Sequence, residues 1–237
     1  MKDGTMNGGE VIVATLLSRE IDTVFFVPGG TYVTVLEALS RVQNKIRSIP
    51  TRLESSAAFA CDAYAGISRK PSCMFVSRAP GASNAVIGVH TAMQASRPFV
   101  LFIADIPKAQ KGREAFQEVE YKLMFEPVAK AVLEVNSYDE LAKVTARAID
   151  LSVSGRPGPV VIALPEDMQT ERADAEDGQP YRTAQAHPGA ADMDRLRAML
   201  AAANRPLVLA GGGGLLALHV GRLRHGDLLF AGSWVAI

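Results

Sequence analysis

The chain has 237 residues, with 25 Lys and Arg against 25 Asp and Glu, so its formal net charge is zero. Hydrophobic residues make up 48% and charged residues 21%, which excludes a disordered chain, since that needs low hydrophobicity and high net charge. Nucleic acid is excluded as a partner because no positive excess exists to displace counterions from phosphates. The length suits one complete domain and part of a second.

Only two cysteines occur, Cys61 and Cys73. They form no CxxC pair and have no His or second thiol at metal-ligand spacing, so they are expected to be reduced, buried, small apolar residues. Residues 1–9 are polar and lack the apolar core of a secretory signal. Arg, Gly or Pro interrupts every apolar stretch before it reaches membrane-spanning length. A cytoplasmic protein with no membrane partner is expected.

In chain order, residues 9–19 set Val13, Leu16 and Leu17 on one face of a short amphipathic helix. Residues 23–27 are apolar after Thr23 and stop at Pro28-Gly29-Gly30, as a buried strand closed by a turn does. Residues 31–41 read as a helix with Val35, Leu36 and Leu39 on one face. Residues 54–67 form a helix rich in small side chains (Ala57, Ala58, Cys61, Ala65, Gly66) that permit close approach to a sheet or a second helix.

The alternation continues with a strand at 73–76, a loop at 78–83, a helix at 84–94 and a strand at 99–103. Ser137-Tyr138-Asp139-Glu140 has the form of a capping box opening a helix to about residue 153. A last buried strand is expected at 159–164. Such alternation predicts an α/β fold, a parallel sheet with helices on both faces. Residues 1–165 then make the first domain, and polar residues 166–190, with Pro180 and Pro188, make a linker. A helix at 193–203, a strand at 205–210 and glycines at 211–214 open a second, incomplete α/β domain over 191–237.

Ligands of parallel sheets bind beyond the carboxyl ends of the strands. Three segments meet that condition: Pro28-Gly29-Gly30, Ala79-Pro80-Gly81-Ala82-Ser83-Asn84, and Arg52-Leu53-Glu54-Ser55. Glu54 is the sharpest residue. Ala57, Ala58, Phe59, Ala60 and Cys61 follow it, so its carboxyl is expected in apolar surroundings, where desolvation raises the pKa of an acid. A helix-N-terminal Glu held by the macrodipole is the plainer alternative. The glycines at 211–214 are a weak pyrophosphate signal, lacking G-x-G-x-x-G spacing. His90 lies among Val86, Ile87, Val89 and Met93 and reads as a hydrogen-bonded structural imidazole, while Phe116-Gln117-Glu118 lies in a polar stretch that reads as a surface loop.

Seven ordered blocks resemble the N-terminal, pyrimidine-binding domain of thiamine-diphosphate enzymes, nearest to acetolactate synthases: Phe26-Val27-Pro28-Gly29-Gly30, Arg52-Leu53-Glu54, Ala63-Tyr64-Ala65, Ser77-Arg78-Ala79-Pro80-Gly81-Ala82-Ser83-Asn84, Gly88-Val89-His90-Thr91-Ala92, Arg113-Glu114-Ala115-Phe116-Gln117-Glu118 and Ser154-Gly155-Arg156-Pro157-Gly158-Pro159-Val160. The resemblance implies that Glu54 hydrogen-bonds the cofactor's aminopyrimidine and promotes loss of the thiazolium C2 proton. It also implies that Pro28, Gly29 and Gly30 shape the pyrimidine pocket, with Pro80, Gly81 and Asn84 beside the ring. Phe116 and Gln117 would face the substrate side, Gln117 with a catalytic part, and Arg156 would lie near a flavin (FAD) if one is kept. The implied chemistry is decarboxylation and carboligation of small 2-keto acids, in a homo-oligomer or with a chain carrying the diphosphate-binding domain.

Two departures stand out. Leu53 replaces a polar residue common before the glutamate. The Gly-Asp-Gly…Asn motif, which in the family holds magnesium and through it the diphosphate, has no counterpart here, since Gly-Asp-Gly does not occur. With the unfamiliar run from Leu215 to Ile237, this gives the expectation of a truncated or frame-shifted chain, inactive alone. Two other functions compete: a non-catalytic interaction subunit, and a flavin- or nucleotide-binding module built on residues 211–214.

Overall fold

Each central strand alternates its side chains between two cores, the period-2 geometry of a strand covered on both faces. In the strand Phe99–Asp105, residues Val100, Phe102 and Ala104 enter one core, while Phe99, Leu101 and Ile103 enter the other. The computed structural model describes residues 5–174, 187–205, 207–208 and 229–230, and the chain divides into two units, Met1–Thr183 and Ala184–Ile237.

The strands of the first unit are β1 (Thr5–Asn7), β2 (Thr23–Phe26), β3 (Arg47–Pro50), β4 (Ser72–Ser77), β5 (Phe99–Asp105), β6 (Ala131–Glu134), β7 (Val160–Pro165) and β8 (Arg172–Asp174). Its helices are α1 (Gly8–Ser18), α2 (Val33–Ser40), α3 (Glu54–Ser68), α4 (Ala79–Gln94), α5 (Tyr121–Phe125), α6 (Leu141–Val153) and α7 (Glu166–Thr170). Six strands form one parallel sheet in the order β3-β2-β4-β5-β7-β6. Side chains of α1, α2 and α6 join one core, and those of α3, α4 and α5 join the other. The predicted parallel α/β fold is therefore present.

Several boundaries differ from the sequence reading. Strands β3 and β6 were not expected: β3 is Arg-Ser-Ile-Pro with mostly exposed residues, and both strands lie at sheet edges, where no apolar run is needed. Helix α4 starts at Ala79, inside the segment read as a loop, because a proline in the first helical turn gives up only an N–H that has no partner there. Ser137 caps nothing with its side chain. It precedes a 3₁₀ turn at Tyr138–Glu140, and α6 begins only at Leu141. Among the described residues a capping box occurs instead at α1, where Asn7 Oδ1 accepts from the Glu10 N–H and Glu10 Oε2 from the Asn7 N–H, each at 2.9 Å. Residues 166–174, read as the start of a linker, form α7 and β8, and β8 pairs antiparallel with β1.

Cys61 and Cys73 are free and buried, and burial pushes the Cys61 thiol up to about 12. In the second unit, α8 spans Ala190–Ala202, and Leu207–Val208 pairs in parallel with Leu229–Phe230. The glycines at 211–214, and with them the nucleotide-binding alternative, lie outside the described residues. Among the described residues, no helix is long and apolar enough to cross a membrane.

Helices α3 and α4 meet through small residues. A Cβ added to Gly88 would stand 2.3 Å from Ala58 Cβ and 3.0 Å from the Ala58 carbonyl carbon, so backbone is in the way. Gly88→Ala is expected to destabilise the fold by ~1–3 kcal/mol in urea unfolding. Gly30→Ala, where a Cβ meets nothing within 4 Å, is expected to change stability by less than about 0.5 kcal/mol.

Candidate functional site

Three connections converge at the carboxyl edge of the sheet. The chain leaves β2 into Pro28-Gly29-Gly30, leaves β3 into α3, and leaves β4 into α4. Backbone bonding fixes the second of these: the Thr51 N–H donates to Phe26 O at 2.7 Å, and Thr51 Oγ1 donates to Leu53 O at 3.1 Å. Leu53 is the residue before the helix, extended at φ −137° and ψ 141°, and its own side chain is 56% exposed. Glu54 is thereby delivered to the first turn of α3, half-buried, above the buried Ala57 and Ala58.

Asn84 lies opposite. Its Nδ2 donates to Glu54 Oε2 at 3.0 Å. Gly81 is three residues earlier on α4 and shares that face of the helix. A Cβ on Gly81 would stand 3.2 Å from Glu54 Oε1, so the glycine leaves that oxygen uncovered on the α4 side. Pro80 is exposed at the same helix end. The helical start of α4 thus turns a supposed loop into a rigid face that presents Gly81 and Asn84 to Glu54.

Gly29 is required by contact: a Cβ there would fall 2.1 Å from Ser77 Oγ at the end of β4. Beneath the turn lies Tyr32, which sequence reasoning did not single out. Its ring is buried and stacks on Phe75 with centroids 6.0 Å apart. Its hydroxyl donates to Val27 O, and burial, aided by the negative charge of Glu54, pushes the phenol well above its ordinary range. An aromatic two residues beyond a Gly-Gly pair was the available signal.

The connection after β5 carries Phe116 and Gln117. Phe116 is 77% exposed, and Glu114 and Gln117 hold left-handed backbone at φ 52° and 65°. Glu118 ties this loop to itself by accepting from the Gly112 N–H at 2.6 Å and the Ala115 N–H at 2.9 Å, and these bonds hold its carboxyl below the ordinary range. Nearby, Asp105 ends β5 almost fully buried, paired with Lys111 Nζ at 3.3 Å. Burial raises the Asp105 carboxyl above its usual value, against the opposing pull of the Ile106 N–H and Lys111. Nothing in the sequence pattern marked Asp105, because it closes an otherwise apolar strand.

Glu54, Gly29, Gly81 and Asn84 are therefore brought to one edge, and the loop of Phe116 and Gln117 rises from the same edge after β5. Arg156 is not part of this group. It precedes β7, at the opposite edge, where its guanidinium donates to Ser96 Oγ and Met93 O at 2.9 Å each, beside the C-terminus of α4. His90 is exposed on α4, with Gln94 Nε2 3.4 Å from its Nε2, rather than held within the core. Among the described residues, no group of three or more His, Cys, Asp or Glu could hold a metal ion.

Comparison with known proteins places this geometry in a class. Residues 6–124 match the family described as "Thiamine pyrophosphate enzyme, N-terminal TPP binding domain", and the chain belongs to that family. Its relatives include the acetolactate synthase isozyme 2 large subunit of Escherichia coli K12, 33% identical over 223 residues, covering 93% of this chain and 40% of that protein. Another is acetolactate synthase 3, chloroplastic, of Brassica napus, 31% identical over 219 residues, covering 90% of this chain and 33% of that protein. A third is a probable acetolactate synthase large subunit of Methanococcus aeolicus, 33% identical over 221 residues, with 89% and 36% covered. The chain spans between 33% and 40% of the length of these relatives.

The close approach of Gly29 to Ser77 yields a coupled prediction. Gly29→Ala is expected to cost ~1–3 kcal/mol by overpacking. In a Ser77→Ala background the nearest Ser77 atom left is Cβ, at 3.6 Å, while Tyr32 Cε1 stays 3.1 Å away. Part of that cost is therefore expected to vanish in a double-mutant cycle read by urea unfolding, the remainder lying on the Tyr32 ring.

Proposed function

We propose that this chain supplies the pyrimidine-binding side of a thiamine-diphosphate site, in an acetolactate synthase-like enzyme acting on small 2-keto acids. The observation that carries the reading is the Glu54–Asn84 pair at the carboxyl edge, with Gly81 leaving Glu54 Oε1 uncovered. That arrangement fits the cofactor's aminopyrimidine: a flat heteroaromatic ring offers a basic nitrogen to a carboxyl, and glycine backbone lets the ring come close. When bound, thiamine diphosphate supplies a carbon nucleophile for decarboxylation and carboligation.

The chain's own residues divide the remaining work. Glu54 exchanges a proton with the ring nitrogen through Oε1, the oxygen not taken by Asn84. Asn84 fixes the carboxyl plane by its bond to Oε2, so that little reorganisation is needed when the proton moves. Gly29, with Pro28 and Gly30 flanking it, keeps the turn beneath the ring slim, and Tyr32 braces that turn from below. Phe116 and Gln117 face the substrate side. Leu53 offers no hydrogen bond, so binding of the substrate carboxylate falls to groups other than the residue before the glutamate.

The magnesium-bound diphosphate has no Gly-Asp-Gly segment to hold it in this sequence, and we assign that task to a partner chain or a further domain carrying the motif. In the presence of such a partner, magnesium and thiamine diphosphate, the chain is expected to support 2-keto acid decarboxylation. Glu54→Gln, which preserves shape but cannot give up a proton in the same way, is expected to lower that rate by roughly 10²–10⁴-fold while leaving circular dichroism unchanged. Undiminished turnover by the Gln variant would contradict the reading.

A further inference from the structure

The loop of Phe116 and Gln117 carries two non-glycine residues in left-handed backbone, Glu114 and Gln117, on either side of an exposed Phe116. Such a conformation persists only where surrounding contacts over-determine it. The Glu118 carboxylate closes the loop on itself, but bonds within a loop do not set where it stands relative to the rest of a site.

Arg78 does. It ends the connection from β4 and precedes the first residue of α4, and its side chain is only 16% exposed. One guanidinium nitrogen donates to Phe116 O at 3.3 Å, and another donates to Glu166 Oε2 at 2.7 Å. Glu166 opens α7 directly after β7. A single planar group thus joins the connections that follow β4, β5 and β7, three neighbouring strands. The rigid fork of Arg suits this task, since its donors point along fixed directions, whereas a Lys ammonium on a flexible stem cannot fix two partners in one plane.

We propose that Arg78 is a positioning residue: it sets the Phe116–Gln117 loop against the start of α4, where Gly81 and Asn84 face Glu54. The inference rests on the proposed function for its purpose, because it links the substrate-side loop to the pyrimidine-side helix. Its geometric content is independent of any cofactor. Glu166 acts with Arg78 by holding the guanidinium in place.

Trypsin tests it on the full chain, because Lys111 and Arg113 lie in the loop and the exposed Arg69, followed by Lys70, lies in the turn before β4 as an internal reference. Arg78→Met is expected to speed cleavage after Lys111 and Arg113 about tenfold with cleavage after Arg69 unchanged. Arg78→Lys is expected to fall short of restoring protection. Glu166→Gln is expected to speed loop cleavage to a smaller extent, and it carries the test should Arg78→Met fail to fold. Unchanged loop cleavage, or an equal rise at Arg69, would overturn the inference. In the partner-completed enzyme, Arg78→Met is expected to raise KM for the 2-keto acid and leave thiamine diphosphate affinity within about twofold. Weakened cofactor affinity with unchanged KM would also overturn it. Full activity of Glu54→Gln would instead sink the proposed function while leaving the proteolysis result to stand.

Discussion

The seam between α3 and α4 is the constraint on which the site depends. Gly88 meets the backbone of Ala58, and no larger residue fits there without moving a helix. Asn84 is one helical turn before Gly88, and Glu54 is one turn before Ala58, so each pair occupies adjacent rungs of the same seam. Close packing on the lower rung therefore sets the 3.0 Å bond between Asn84 and Glu54 on the upper one. Both helices begin at the carboxyl edge, after β3 and β4, because a parallel sheet returns every crossover to the same end. Topology supplies the edge, and small residues supply the distance.

Around that seam the polar groups are placed where burial is offset by a specific partner. Asp105 is buried but meets Lys111 and a backbone N–H, and Lys111 also reaches Glu134 on the edge strand β6. The desolvation cost that raises the Asp105 carboxyl is thus partly returned by local bonds. Tyr32 donates a hydrogen bond to a backbone carbonyl and presents its ring to Phe75, which in turn stacks on Phe102 with centroids 4.5 Å apart. The floor beneath the Gly29 turn is therefore continuous with the core rather than a separate loop.

Much of this was readable from residues alone, for physical reasons that differ by element. The central strands β2, β4, β5 and β7 are buried on both faces, so their composition had to be apolar. Edge strand β3 carries no such obligation and left no signal, whereas β6 has only the short apolar triplet Ala131-Val132-Leu133 before Glu134. Glu54 stood out because a carboxylate before a run of small residues is unusual, yet its partner through Asn84 became geometric only once α4 was known to start at Ala79. The capping box was expected at Ser137 and occurs at Asn7, since the motif fixes residue types but not whether the chain enters the helix extended. Arg78 acts through Phe116 and Glu166, and Tyr32 stacks on Phe75, neighbours distant in sequence that no local pattern encodes.

The central claim is that Glu54, held by Asn84, is the group that acts on the pyrimidine and so labilises a distant proton of the cofactor. Hydrogen–deuterium exchange at C2 of thiamine diphosphate, followed by proton NMR in D₂O with the partner-completed enzyme and no 2-keto acid, reads that step without turnover. The account predicts faster exchange with the unaltered chain and a loss of that acceleration with Glu54→Gln at saturating cofactor. Equal acceleration by the two proteins would contradict it.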